Sequence, residues 1–133
     1  MPNAMNLWAV LAAGVSSLVL GGLWYSPVLF GNAWMRASGI TEEKARSSNM
    51  GKVMGTTFLL ALIGAAVFAM FLGPAPAIGF AVGAGFSAGL CWVAGSFGIN
   101  YLFEQRPLSL FLINGSYHTL QYTVIGLILG AWH

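Results

Sequence analysis

Hydrophobic positions along this chain come in long unbroken stretches separated by short polar gaps, with none of the strict alternation that marks strands. The first stretch, LWAVLAAGVSSLVLGGLWY up to Tyr25, matches the roughly 20 residues that a helix rising 1.5 Å per residue needs to cross a hydrocarbon core. A second stretch runs from about Val53 to Leu72 and ends in GPAP, Gly73 to Pro76, which predicts a tight hairpin between helices. The third begins near Ala77, continues through Ile99, and leaves the membrane through NYLFEQRP. Pro107 suits the first turn of a fourth helix that extends through Leu129, with Trp132 near an interface. The pattern predicts one all-α transmembrane domain over residues 1–133, with four transmembrane helices at about 6–27, 52–72, 77–101 and 108–131. Barrel strands would be about ten residues long and alternate in polarity; helices bond their backbone internally over the whole span.

Between the first two stretches, a connection at about 30–51, bordered by Lys52, collects Arg36, Glu42, Glu43, Lys44 and Arg46. Within it SGITEEKAR predicts a short interfacial helix capped by Thr41 or Ser38. The first stretch has no basic leader region and no convincing cleavage site, so it is expected to be retained as a helix.

Composition removes the water-soluble alternatives. Hydrophobic residues make up 58% of the chain and charged residues only 6%, against roughly a quarter charged in soluble domains. The lipid bilayer is therefore the expected partner, and with no basic tract nucleic acid is not one. Arg36, Lys44, Arg46, Lys52 and Arg106 all fall in the first and third connections. The positive-inside tendency then predicts a multi-pass protein of the bacterial plasma (inner) membrane with both termini outside the cytoplasm. Cys91, the only cysteine, has no partner for an intramolecular disulfide and is expected to serve as small helix packing.

Small residues recur every fourth position at Gly51/Gly55, Gly79/Gly83, Ala81/Gly85, Gly85/Gly89 and Gly126/Gly130, a spacing that lets helix backbones approach where lipid supplies no hydrophobic drive. The cluster GFAVGAGFSAGL belongs at the centre of the bundle or at a contact between subunits, and a homo-oligomer is expected. WYSPVLFG (Trp24 to Gly31) and NYLFEQRP (Asn100 to Pro107) share an aromatic, a Leu-Phe pair and a proline. Two parallel helix-pair repeats would produce that likeness, as would the ordinary gathering of Trp, Tyr and Pro at membrane interfaces.

The polar residues most open to a chemical reading are in the fourth helix. Asn114, His118 and Gln121 fall at i, i+4 and i+7 on one face, with Tyr117 and Tyr122 adjoining. They either hydrogen-bond across the bundle to Ser16, Ser17, Thr56, Thr57, Ser87 or Ser96, or line a site for a small ligand whose identity the sequence does not give. A second candidate pairs Asn100 with Glu104, one turn apart and close to Arg106. It is either an acceptor for a proton or cation, or an interfacial salt bridge. No catalytic triad, zinc-binding helix motif or phosphate loop occurs, and neither a metal nor a cofactor is implied. The first expectation is a non-enzymatic structural or accessory membrane component. The alternative is a small oligomeric transporter or channel for a solute or ion. A third reading, an enzyme acting on a lipid or quinone, requires His118 or Glu104 open sideways to lipid with a second polar group beside it.

WYSPVLFG, NYLFEQRP and INGSYHTLQYTVIGLILGAW, in this order, resemble the signatures of the DUF1761 family of small bacterial integral membrane proteins. The resemblance covers essentially the whole chain. It rests on Trp24, Tyr25, Ser26, Pro27, Phe30, Gly31, Asn100, Tyr101, Arg106, Pro107, Asn114, Gly115, Tyr117 and Gly126. It implies a four-helix membrane protein, supplies no activity, and implies that another aromatic often stands where this chain has His118.

Overall fold

A computed structural model describes residues 5–133; residues 1–4, counted in the expected single domain, lie outside the described part. It contains six helices, α1 (Leu7–Trp24), α2 (Gly31–Ser38), α3 (Glu42–Ser47), α4 (Met50–Leu72), α5 (Ile78–Glu104) and α6 (Leu108–Ala131). Side-chain caps start three of them. Asn6 accepts from the Ala9 amide, Thr41 from Lys44 and Asn49 from Lys52, each at 3.1 Å, which satisfies amides that a helix's first turn leaves unpaired. Gln105 in the left-handed region (φ 57°) ends α5, and Pro107 stands at the cap position just before α6 rather than in its first turn.

The expectation of four transmembrane helices is corrected here. Among the described residues three helices, α1, α4 and α5, are long and apolar enough to cross a membrane, with mean hydropathies of 1.8, 2.2 and 1.6. The fourth long helix, α6, has 24 residues but is interrupted by Asn114, Ser116, His118, Thr119, Gln121 and Thr123. Length and apolar flanks suggested a fourth span, whereas the polar centre disqualifies it on composition. Helix α6 is instead an inner element. It packs along α5 and α1 and buries nine residues, more than any other helix.

The two parallel helix-pair repeats are not present either. Two short helices, α2 and α3, follow α1, while α5 turns directly into α6 through residues 105–107. Within α5, moreover, Ala88–Ala94 forms a π-helical segment, and α1 has no counterpart. WYSPVLFG and NYLFEQRP each lie where a long helix ends, α1 at Trp24 and α5 at Glu104.

The small-residue cluster of α5 lies inside the bundle, on α6. A Cβ added at Gly85 would overlap the carbonyl of Tyr122, one at Gly126 would overlap that of Ala81, and one at Gly89 would stand 2.7 Å from the His118 carbonyl oxygen. Only hydrogen fits where backbones run this close. Gly55, Gly79 and Gly83 have open space instead, Gly51 meets only the Asn49 side chain, and Cys91, expected to pack between helices, is exposed. The core combines Ala9, Val10 and Ala13 of α1, Ala65 and Phe68 of α4, Ala88 of α5, and Ile125 and Leu129 of α6. At one end Asn6 Nδ2 donates to the Trp132 carbonyl at 3.2 Å. At the other Arg106 Nη1 donates to the Ser38 carbonyl at 3.1 Å, tying the α5–α6 turn to the end of α2.

The π segment sets which side of α5 meets α6. Its wider turn takes in one residue more than an α-helical turn and rotates everything downstream. Ala81 and Gly85 face α6 before it, Gly89 and Ala94 within it, and Phe97, Gly98 and Tyr101 after it. An unbroken α-helix would have continued through Trp92, Ser96 and Asn100, all of which are exposed.

Candidate functional site

The rotated end of α5 meets the polar middle of α6, and the end of α1 closes on both. Spacing of three and four residues along α6 stacks Asn114, Tyr117, His118 and Gln121 on adjoining positions. Tyr25 Oη donates to Asn114 Oδ1 at 2.6 Å, and Asn114 Nδ2 donates to Tyr101 Oη at 2.8 Å. One amide thus joins three helices. Trp24 Nε1 donates to the Ile113 carbonyl at 2.9 Å, and Tyr117 Oη to the Ser17 carbonyl at 2.8 Å.

Deeper in the bundle the bonds run in one direction. Ser17 Oγ spends its hydrogen on the Ala13 carbonyl (3.1 Å) and accepts from Gln121 Nε2 (3.1 Å). That assignment leaves Gln121 Oε1 facing His118 Nδ1 at 2.7 Å. An amide oxygen only accepts, so Nδ1 carries the ring proton and Nε2 keeps its lone pair. Aromatic rings fill the space between. Phe97 stacks on His118 at 5.1 Å and 13°, Tyr117 meets His118 edge-on at 4.8 Å, and Tyr25 contacts Tyr117 and Trp34.

No charged side chain enters this network. Tyr25 lies just past the end of α1, where burial, with the phenols of Tyr117 and Tyr101 beside it, pushes its hydroxyl up from the usual range, so it stays the donor that Asn114 needs. Among the described residues no buried side-chain nitrogen or oxygen lacks a hydrogen-bond partner, and no group of three His, Cys, Asp or Glu residues is placed to hold a metal.

The residues singled out from the sequence divide into two places. Asn114, Tyr117, His118 and Gln121 come together, with Ser17 as the cross-bundle partner. Tyr122 lies on the other side of α6, edge-on to Phe68 at 6.0 Å. Asn100 and Glu104 are exposed on the outside of α5, and Glu104 pairs with Arg106 at 3.3 Å in a half-exposed salt bridge. Sequence reasoning did not bring Tyr25, Tyr101, Trp24 or Phe97 to this face. The first three stand in the two aromatic motifs, which was the available signal; Phe97 carries none. Hollows lie elsewhere: one of about 290 Å³ beside Asn6, Pro74 and Trp132, and an open apolar groove of about 570 Å³ along α1 between Trp8, Val15, Leu23 and Val124. The polar face lines neither.

Three long apolar helices around a helix whose polar side is turned inward, with every lysine and arginine gathered at one end, define a multi-span membrane protein. The chain belongs to the DUF1761 family, described as a protein of unknown function, whose family model matches residues 8–130. No curated protein and no solved structure matches it.

Proposed function

We propose that this protein is a non-enzymatic structural or accessory component of a bacterial plasma membrane, and that the polar face of α6 is the clasp that holds its bundle together. The observation carrying this reading is that Asn114, Tyr117 and Gln121 bond to α1 or α5 with no buried polar side-chain atom left over among the described residues. A solute pathway would leave donors and acceptors turned toward a water-filled space; here they are spent on neighbouring helices. Inter-helix hydrogen bonds in membrane proteins contribute about 0.6 kcal/mol on average, so the set of them orients α6 as well as stabilising it.

The proposal includes orientation. The end bearing Arg36, Lys44, Arg46, Lys52 and Arg106 faces the cytoplasm, and the end where Asn6 meets Trp132 faces outside. The small-residue pair that faces open space, Gly79 with Gly83, supports self-association at the start of α5.

The test places a cysteine at Ser17 in a Cys91→Ala background and exposes vesicles containing the protein to a membrane-impermeant thiol reagent from either side. The clasp reading expects no modification. Rapid modification would mean that water reaches the face, and would move the assignment to a solute pathway.

A further inference from the structure

The clasp leaves one acceptor and one donor unspent, on either side of Phe97. His118 Nδ1 is committed to Gln121, so Nε2 holds a lone pair with no donor among the described residues. His118 is partly buried, and among the described residues no fully buried side-chain nitrogen lacks a partner, so Nε2 keeps some accessible surface. His118 is the eleventh residue of α6, roughly 15 Å from the helix start at 1.5 Å per residue, close to the middle of the helix. Tyr101 is in the complementary state. Its oxygen accepts from Asn114 Nδ2, which leaves its own hydrogen free. Phe97 separates the two, stacked on His118 at 5.1 Å and in contact with Tyr101 at 5.7 Å.

We infer that His118 Nε2 and the Tyr101 hydroxyl, flanking Phe97, form a binding site for a lipid-soluble phenol or hydroquinone. A phenolic hydroxyl donates to Nε2 and a second oxygen, or the same one, accepts from Tyr101, while the ring lies against aromatic faces that favour offset or edge-on contact. The unpaired nitrogen selects for a donor: a ligand bearing only carbonyl or ether oxygens leaves Nε2 unsatisfied, a difference that hydrogen-bonding sites turn into discrimination. The π segment is part of the argument. By rotating α5 it brings Phe97 and Tyr101, rather than Ser96 and Asn100, onto His118 and Asn114, and such insertions recur at functional sites. The inference goes beyond the clasp reading: it rests on the clasp's hydrogen bonds, which set the free atoms of His118 and Tyr101, and not on the exclusion of water from the face.

The experiment uses the full chain with His133→Gln, which leaves His118 as the one labelled histidine, in nanodiscs of quinone-free phosphatidylcholine. Imidazole nitrogen-15 signals are followed while 4-octylphenol is added, and in parallel 4-octylanisole, the same molecule with its hydroxyl methylated. The expected result is a saturable shift of the Nε2 signal with the phenol and none with the anisole, with Nδ1 unchanged as the mark of an intact clasp. Tyr101→Phe is expected to weaken phenol binding about three- to tenfold, the worth of one hydrogen bond. An Nε2 signal that the phenol leaves in place, including one already held by water, overturns the inference. So does an equal shift with the anisole. Reagent access at Ser17 with a phenol-specific shift would remove the clasp reading and keep this one; the reverse pair of results would do the opposite.

Discussion

At the scale of single residues, Asn114 has the most connected side chain of the network, because its amide is the only group that bonds to both α1 and α5. Asn114→Leu keeps the bulk and removes both bonds, and is expected to destabilise the protein by about 1–2 kcal/mol, read as a lowered apparent Tm in detergent. Asn100→Leu, on the exposed side of α5, is expected to change it by less than about 0.5 kcal/mol. Tyr25 adds a pH dependence. Its folded-state value is raised by burial, so the protonated phenol is the form the fold favours. That contribution is whole below the ordinary phenol value of about 10 and is lost as pH rises beyond it. Thermal stability should therefore hold level up to about pH 9 and decline above about pH 10, with Tyr25→Phe reducing the decline. The choice of Asn114, His118 and Gln121 was legible in the sequence because helical spacing alone puts them on one side. Which partners they find was not, since Ser17 is some hundred residues away and competes on paper with five other hydroxyls.

At the scale of elements, the π segment is what the sequence concealed. Hydrophobic patterning assumes 3.6 residues per turn, and continued at that period the small-residue face of α5 runs on to Asn100; one inserted residue puts Tyr101 there instead. The segment can be tested with a cross-link. A Cβ at Gly115 would lie 3.3 Å from that of Ala94, near the usual disulfide range of about 3.5–4.5 Å. Ala94→Cys with Gly115→Cys in a Cys91→Ala background should oxidise readily to a disulfide between α5 and α6. Trp92→Cys with Gly115→Cys, the pairing that an unbroken α-helix of the same length would bring together, is expected to stay reduced because Trp92 is exposed. The α5–α6 seam sets a second expectation. Gly126→Ala forces a methyl against the Ala81 carbonyl and should cost more than about 2 kcal/mol, while Gly83→Ala, with open space around it, should leave the apparent Tm unchanged. Of the six helices, the short α2 was not anticipated: eight residues of GNAWMRAS are too few for periodicity to register. The capped α3 was, through Thr41.

For the whole molecule, three of the four apolar stretches are helices long and apolar enough to cross a membrane, and the fourth is not. The fourth stretch was counted by length, and its polar middle belongs to a helix sheltered by others. Charge placement yields a prediction at this scale. Alkaline phosphatase, active only outside the cytoplasm, should be active when fused after His133 and inactive when fused within α3 at Lys44; the reverse pattern would invert the proposed orientation.

The polarity of α6 also bears on how the protein is made. A helix with six polar residues at its centre enters a bilayer poorly alone, and the groups that bond Asn114, Tyr117 and Gln121 belong to α1, the residue just past its end, and α5, all synthesised earlier. The ribosome therefore finishes the least apolar long helix when its partners are already in place. Chains halted before residue 108 would leave Ser17 without its Gln121 and Tyr117 bonds, half-assembled bundles that membrane quality-control proteases are suited to recognise.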